Sequence, residues 1–139
     1  MRAAIYRLII FALALGFSTV VWPRDLAGLW DLKIEDKGHH VVTVLVIEFT
    51  DHQARSCIGG KWRRVNVVSS TTEDNQFFPM SDPLSYGVEN NQLTIGRNEV
   101  CDAYLWLKGT LDNEIIRGEY FSFGWGRKPL GFFALSKKK

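Results

Sequence analysis

Cysteine and proline are scarce in this chain of 139 residues, two and four of each, and no stretch of it carries the 3.6-residue periodicity of an amphipathic helix. Cys57 and Cys101 lack C-x-x-C spacing and a neighbouring histidine, which argues against a metal or catalytic role for the pair. There is no G-x-S-x-G, and Ser69, Ser70, Thr71 and Thr72 lie in a polar run with no base or orienting group beside them. Asp112 with Glu114, and Glu73 with Asp74, have the setting of turn residues rather than of paired acid–base carboxylates. His39 and His40 are adjacent, so on an extended chain they point to opposite faces, and His52 follows a strand length later. These absences leave no catalytic residue, no metal site and no cofactor to expect, and the chain reads as a non-enzyme. Internal repeats and low-complexity linkers are also missing, and the length is that of one domain.

Long apolar runs are missing too, apart from residues 8–17 (LIIFALALGF), which follow Arg2 and Arg7. A basic head before a short apolar core is the pattern of an export signal, too short to span a bilayer comfortably. Gly16 and Ser18 supply small residues for cleavage after Ser18, so residues 1–18 are expected to be a signal peptide and 19–139 the mature domain; an uncleaved anchor extended by Val20, Val21 and Trp22 is the alternative. Losing Arg2 and Arg7 with no acid takes the formal charge from +2 to zero, and Lys137, Lys138 and Lys139 concentrate positive charge on a tail. No basic field remains on the body for nucleic acid. Export, to the periplasm or the extracellular space, places the two cysteines in an oxidising compartment, where they are expected to form a disulfide.

What is present is two-residue alternation. Residues 26–35 put Trp30, Leu32 and Ile34 on one face and Asp31, Lys33 and Glu35 on the other. Residues 40–50 are so rich in β-branched side chains that helix is disfavoured on side-chain entropy, and both faces are largely apolar. Residues 54–58 and 61–68 read as a hairpin about Gly59-Gly60, residues 69–75 as a polar connector, and 76–83, with Phe77, Phe78, Pro79 and Pro83, as a lid-like loop. A second hairpin joins 84–89 to 92–96 through Asn90-Asn91. Residues 101–111 place Cys101, Ala103, Leu105 and Leu107 on one face, which points the disulfide inward, with Asp102, Tyr104, Trp106 and Lys108 on the other. Asp112-Asn113 turns into 115–123, and GWGRKP, residues 124–129, into 130–136. The expectation is an all-β, antiparallel up-and-down barrel of about eight or nine strands with one disulfide, or alternatively a β-sandwich. Closure is preferred because it removes exposed strand edges.

Gly28-Leu29-Trp30 on the first strand resembles the G-x-W signature of lipocalins and related small barrels. The resemblance implies that Trp30 plugs one end of the barrel. The lipocalin pattern also has a T-D-Y-like motif, which is missing here, where Cys101-Asp102-Ala103-Tyr104 is a distant echo. It has in addition a late arginine packed on the tryptophan, for which Arg127 is the candidate.

Two functions follow. A lipocalin-like barrel is expected to hold one small apolar molecule, lined by Leu32, Ile34, Leu105, Leu107 and Phe121, with Arg117 and Tyr120 as polar or rim contacts and with room left by Ala103 and Gly109. The alternative is an exported protein-interaction module, such as an inhibitor of a secreted enzyme or an envelope factor, using Tyr104, Trp106 and Trp125 on a filled barrel; an outward aromatic surface of this kind also suits a homodimer. Lys61-Trp62-Arg63-Arg64 mixes cations with an aromatic, a combination that binds phosphate or stacks on sugars and bases, or else forms a charged edge strand.

Overall fold

The computed structural model describes residues 25–111 and 114–139, so the expected signal segment 1–18 and the Asp112-Asn113 turn lie outside the described residues. Eight strands form one closed antiparallel barrel in which each strand pairs with its sequence neighbours and the last with the first: β1 (Leu29–Asp36), β2 (Val41–Gln53), β3 (Arg63–Thr72), β4 (Leu84–Glu89), β5 (Gln92–Gly96), β6 (Tyr104–Thr110), β7 (Ile115–Phe123) and β8 (Arg127–Lys137). Closure runs from Trp30↔Lys137 to Asp36↔Gly131 and sets aside the sandwich alternative.

Alternation decides what lies inside. Trp30, Leu32 and Ile34 on β1, Leu45, Ile47 and Phe49 on β2, Leu93 and Ile95 on β5, Leu107 on β6, Ile116 and Tyr120 on β7, and Phe133 and Leu135 on β8 form one buried cluster. The tight glycines of β6 and β7 leave no vacancy, because the Phe133 ring occupies their space: a Cβ on Gly109 would stand 3.0 Å from Phe133 Cζ. Ala103 is exposed, so it contributes no interior room.

The two barrel ends are closed differently. Trp30 sits at the end where β1 starts, 1 % exposed, with its Nε1 donating to the Leu26 carbonyl at 2.9 Å and its ring edge-on to Phe49. At the other end the 73–83 connection folds inward, Phe77 and Phe78 meet Tyr120 edge-to-face, and the Tyr120 hydroxyl donates to the Phe77 carbonyl. This connection spans a thin seam, since β3 pairs with β4 only through Arg63, Arg64 and Val65.

Several sequence expectations differ from the structure, among them residues 127–129, expected in a turn, which open β8. Residues 54–62 form no strand pair about Gly59-Gly60; they make a loop that leaves β2 and folds over the outside of the barrel, and the strand count is the lower of the expected eight or nine. Residues 69–72, expected to be a connector, extend β3, because β-branched threonines suit a strand and Thr72 bonds Thr43 across it at 2.8 Å. Cys101 is exposed rather than inward: Asp102 takes a positive φ of 64°, which turns residues 101–103 and delays the strand until Tyr104.

Candidate functional site on the outer wall

The outward positions of β4, β5 and β6 carry two glycines where side chains are expected. A Cβ on Gly96 would stand 2.5 Å from Trp106 Cδ1, and one on Gly87 would meet the Trp62 ring at 3.6 Å. An isolated glycine in a strand marks close approach of another group. Here both groups are indoles, laid on bare backbone with ring centroids 5.8 Å apart.

Two devices hold this arrangement. The first is a buried polar network: Trp106 Nε1 donates to Asn98 Oδ1 at 2.8 Å, Asn98 Nδ2 donates to Ser85 Oγ at 2.9 Å, and Ser85 Oγ donates to the Gly96 carbonyl at 3.3 Å. Asn98 and Ser85 are both buried, so their mutual satisfaction fixes the ring rather than adding a penalty. The second is the Cys57–Cys101 disulfide, with Cα atoms 5.5 Å apart, which ties the 54–62 loop to the start of the β6 segment. The Cys57 amide donates to the Asn98 carbonyl at 2.9 Å and the Ala54 amide to the Trp62 carbonyl at 3.0 Å. Between the loop and β4–β6 lies a cleft of about 590 Å³, floored by Trp62, Gly87 and Trp106 and edged by Thr94, Gln92 and Lys108.

The aromatic surface continues around the wall. Trp106 stacks on Phe123 at 5.2 Å and meets Phe121 edge-on, Tyr104 lies 6.4 Å from Phe123, and the Arg127 guanidinium sits 4.1 Å above the Phe121 ring while pairing with Glu119. Beyond it the β7–β8 turn carries Trp125 between Gly124 and Gly126, fully exposed at 106 %, with Gly126 at a φ of +117°. Tyr104, Phe123 and Trp125 border a second cleft of about 530 Å³ on this rim, together with Arg97 and Lys128.

Leu32, Ile34, Leu107 and Tyr120 lie in the interior, and Leu105 packs against it half-buried. Arg117 is exposed, and Phe121 faces outward, because it pairs directly with Trp106 while Tyr120 pairs with Leu107. Side chains of adjacent strand residues point to opposite faces, so Tyr120 and Phe121 cannot line one space. Tyr104 and Trp125 share the rim cleft, whereas Trp106 lines the cleft under the 54–62 loop. Arg127 serves Phe121 and not Trp30; the cation near Trp30 is Lys137, 5.9 Å from the ring centre. Lys61 and Trp62 leave the strand for the cleft, and Arg63 and Arg64 stay on β3 near Asp51 and Glu99.

The histidines remain apart. His39 stacks on Phe132 at 4.4 Å and bonds Glu35 at 2.9 Å, and His40 stands 3.7 Å from Glu73. Among the described residues no group of three or more His, Cys, Asp or Glu is placed to hold a metal ion.

One buried charge escaped the sequence reading. Arg97 is 6 % exposed and pairs through Nη2 with Asp82 of the lid connection, leaving its Nε without a hydrogen-bond partner among the described residues. Burial lowers the Arg97 guanidinium from its ordinary value, opposed by the nearby Tyr120, and burial raises the Tyr120 phenol well above its own, opposed by Arg97. Both groups hold the lid, one by charge and one by a hydroxyl.

No protein family, curated protein or solved structure matches this chain, so the site stands on its own geometry.

Proposed function

We propose that this chain is an exported, non-catalytic binding protein that recognises another extracytoplasmic protein through its outer rim, rather than a carrier of a small apolar molecule in its lumen. One observation carries the reading: Trp125 stands fully exposed on a glycine-flanked turn, beside Phe123 and Tyr104. An indole offered entirely to water buries no apolar surface in the fold, yet in a partner's pocket such an anchor commonly accounts for about 2 kcal/mol or more of binding. The filled interior points the same way, since Phe133 occupies the space beside Gly109 that a lumen ligand would need. The disulfide supports an oxidising compartment and hence export. The closed barrel with Trp30 at one end also supports a lipocalin-like architecture, with a recognition site moved from the cup to the wall.

The test is a photo-crosslinking amino acid at position 125 in the producing cell. A discrete protein adduct, lost when Phe123 and Tyr104 are changed to alanine, is expected. Absence of any protein adduct, with a stoichiometric small molecule in native mass spectra of the purified protein, would return the function to the lumen.

A further inference from the structure

We propose that the cleft between the disulfide-tethered 54–62 loop and the outer wall of β4–β6 binds saccharide, with Trp62 as the stacking platform and Thr94, Gln92, Lys108 and Glu89 as partners for ring hydroxyls. This is independent of the rim reading, since Trp62 and Trp125 belong to different clefts.

Both indole N–H groups are already committed within the protein, Trp62 Nε1 to the Gly59 carbonyl at 3.2 Å and Trp106 Nε1 to Asn98. What remains for a ligand is π surface, electron-rich at its face. The C–H face of a pyranose ring, weakly positive and flat, is the complement of such a surface.

The polar component comes from strand register. Outward side chains recur every second residue, and the pairs Gly87↔Thr94 and Thr94↔Lys108 set one polar row beside the indoles, with Glu89↔Gln92 forming the next. Rows about 6.8 Å apart on strands about 4.8 Å apart match the spread of hydroxyl groups around a hexose. Gln92 donates its amide to Thr110 at 2.8 Å and so turns its carbonyl oxygen to other use. The row thus offers a carbonyl and a carboxylate as acceptors, an ammonium as donor, and a hydroxyl as either, the mixture that neutral polyols satisfy.

Size and rigidity agree with this. A volume of about 590 Å³ falls in the range of small-molecule sites. The loop that forms one wall is fixed before binding by the disulfide, by the Cys57 amide on the Asn98 carbonyl and by the Ala54 amide on the Trp62 carbonyl, so little ordering cost falls on the ligand. A nucleotide would use the same stacking surface, and its phosphates would meet Lys61 and Lys108 as well as Glu89, so the nucleotide is the alternative that the experiment separates from saccharide.

The experiment uses the intact, oxidised protein. Cellotriose, the trimer of β-1,4-linked N-acetylglucosamine and a uronic acid trimer are titrated separately, with adenosine monophosphate as stacking control, and read by tryptophan fluorescence and saturation-transfer difference NMR. The expected result is saturable binding of at least one saccharide with transfer to ring protons. Trp62→Ala should weaken it by about tenfold or more, Thr94→Val by a smaller factor, and Trp125→Ala should leave it unchanged. Thr94→Val is close in shape and surface-facing, so it reports on the site even if Trp62→Ala disturbs the loop. The proposal is overturned if none of the three saccharides binds, if only the nucleotide does, or if binding survives both Trp62→Ala and Thr94→Val within about twofold.

Discussion

Removing one oxygen atom from the lid end of the barrel tests the account of how that end is closed. In Tyr120→Phe the ring keeps its contacts with Phe77 and Phe78, and only the hydroxyl that donates to the Phe77 carbonyl is lost. A hydrogen bond of this kind contributes about 1 kcal/mol net, and the carbonyl left behind costs more if water cannot reach it. Phe77 is half-buried, so partial rehydration is expected and the loss should be about 1–2 kcal/mol, or roughly 4–8 °C in Tm for a domain of this size. The pH dependence makes the assay specific. Burial raises the Tyr120 phenol above its ordinary value, so the unfolded chain releases that proton first. The stability tied to this group is therefore complete below about pH 10 and falls, by up to about 1.4 kcal/mol per pH unit, as the pH rises further. Urea unfolding of both proteins at about pH 7, 9.5 and 11 should show the wild type ahead at the first two and losing its lead at the third. A difference below about 0.5 kcal/mol at neutral pH, or one that stays constant to about pH 11, would refute the claim that a neutral, buried Tyr120 hydroxyl holds the lid.

Further outcomes follow from the same contacts. Trp30→Ala should cost about 3–5 kcal/mol in urea unfolding, and a loss below about 1 kcal/mol would mean that Trp30 does not close its end of the barrel. Asp82→Ala should cost about 2–4 kcal/mol by leaving the Arg97 charge buried and unpaired, and adding Arg97→Met should recover most of that loss; equal stability of the single and double variants would refute the pairing. Reducing Cys57–Cys101 should cost up to about 4 kcal/mol on a chain-entropy account, and thiol labelling of the unreduced protein should find neither sulfur free.

The strands were legible because each inward residue is set by parity: Trp30, Leu32 and Ile34, or Leu105 and Leu107, declare a face without knowledge of their partners. Arg117 and Phe121 share a parity with each other and not with Tyr120, so their outward placement was also readable from alternation alone. The 54–62 loop was not, since Gly59-Gly60 is a sound local hairpin signal and the force that pulls this segment onto the wall is a covalent bond to a residue 44 positions away. The Arg97–Asp82 pair escaped for a similar reason, because it exists only once the lid has crossed the barrel end. Gly87 and Gly96 did carry a signal, being lone glycines on strands of a tryptophan-rich chain. What they make room for depends on tertiary neighbours.

Small barrels face a conflict between stability and recognition, since the same inward side chains cannot both fill the core and leave a cup. Here the inner face is filled, with Phe133 seated against the backbone of Gly109 and Gly118, and Trp30 and Tyr120 shut the two ends. Glycine is used in the opposite sense on the outer face, at 87 and 96, where it lowers the wall so that the Trp106 indole and the Trp62 indole of the disulfide-tied loop come against backbone. An outward tryptophan on an ordinary strand would rest on neighbouring side chains and move with them. Laid on backbone and bonded through Nε1 to a buried asparagine, Trp106 has its ring position set by the barrel itself. Rigidity of that kind lowers the ordering cost of anything met there in a defined orientation, which supports the proposal that binding uses the outer wall rather than the lumen.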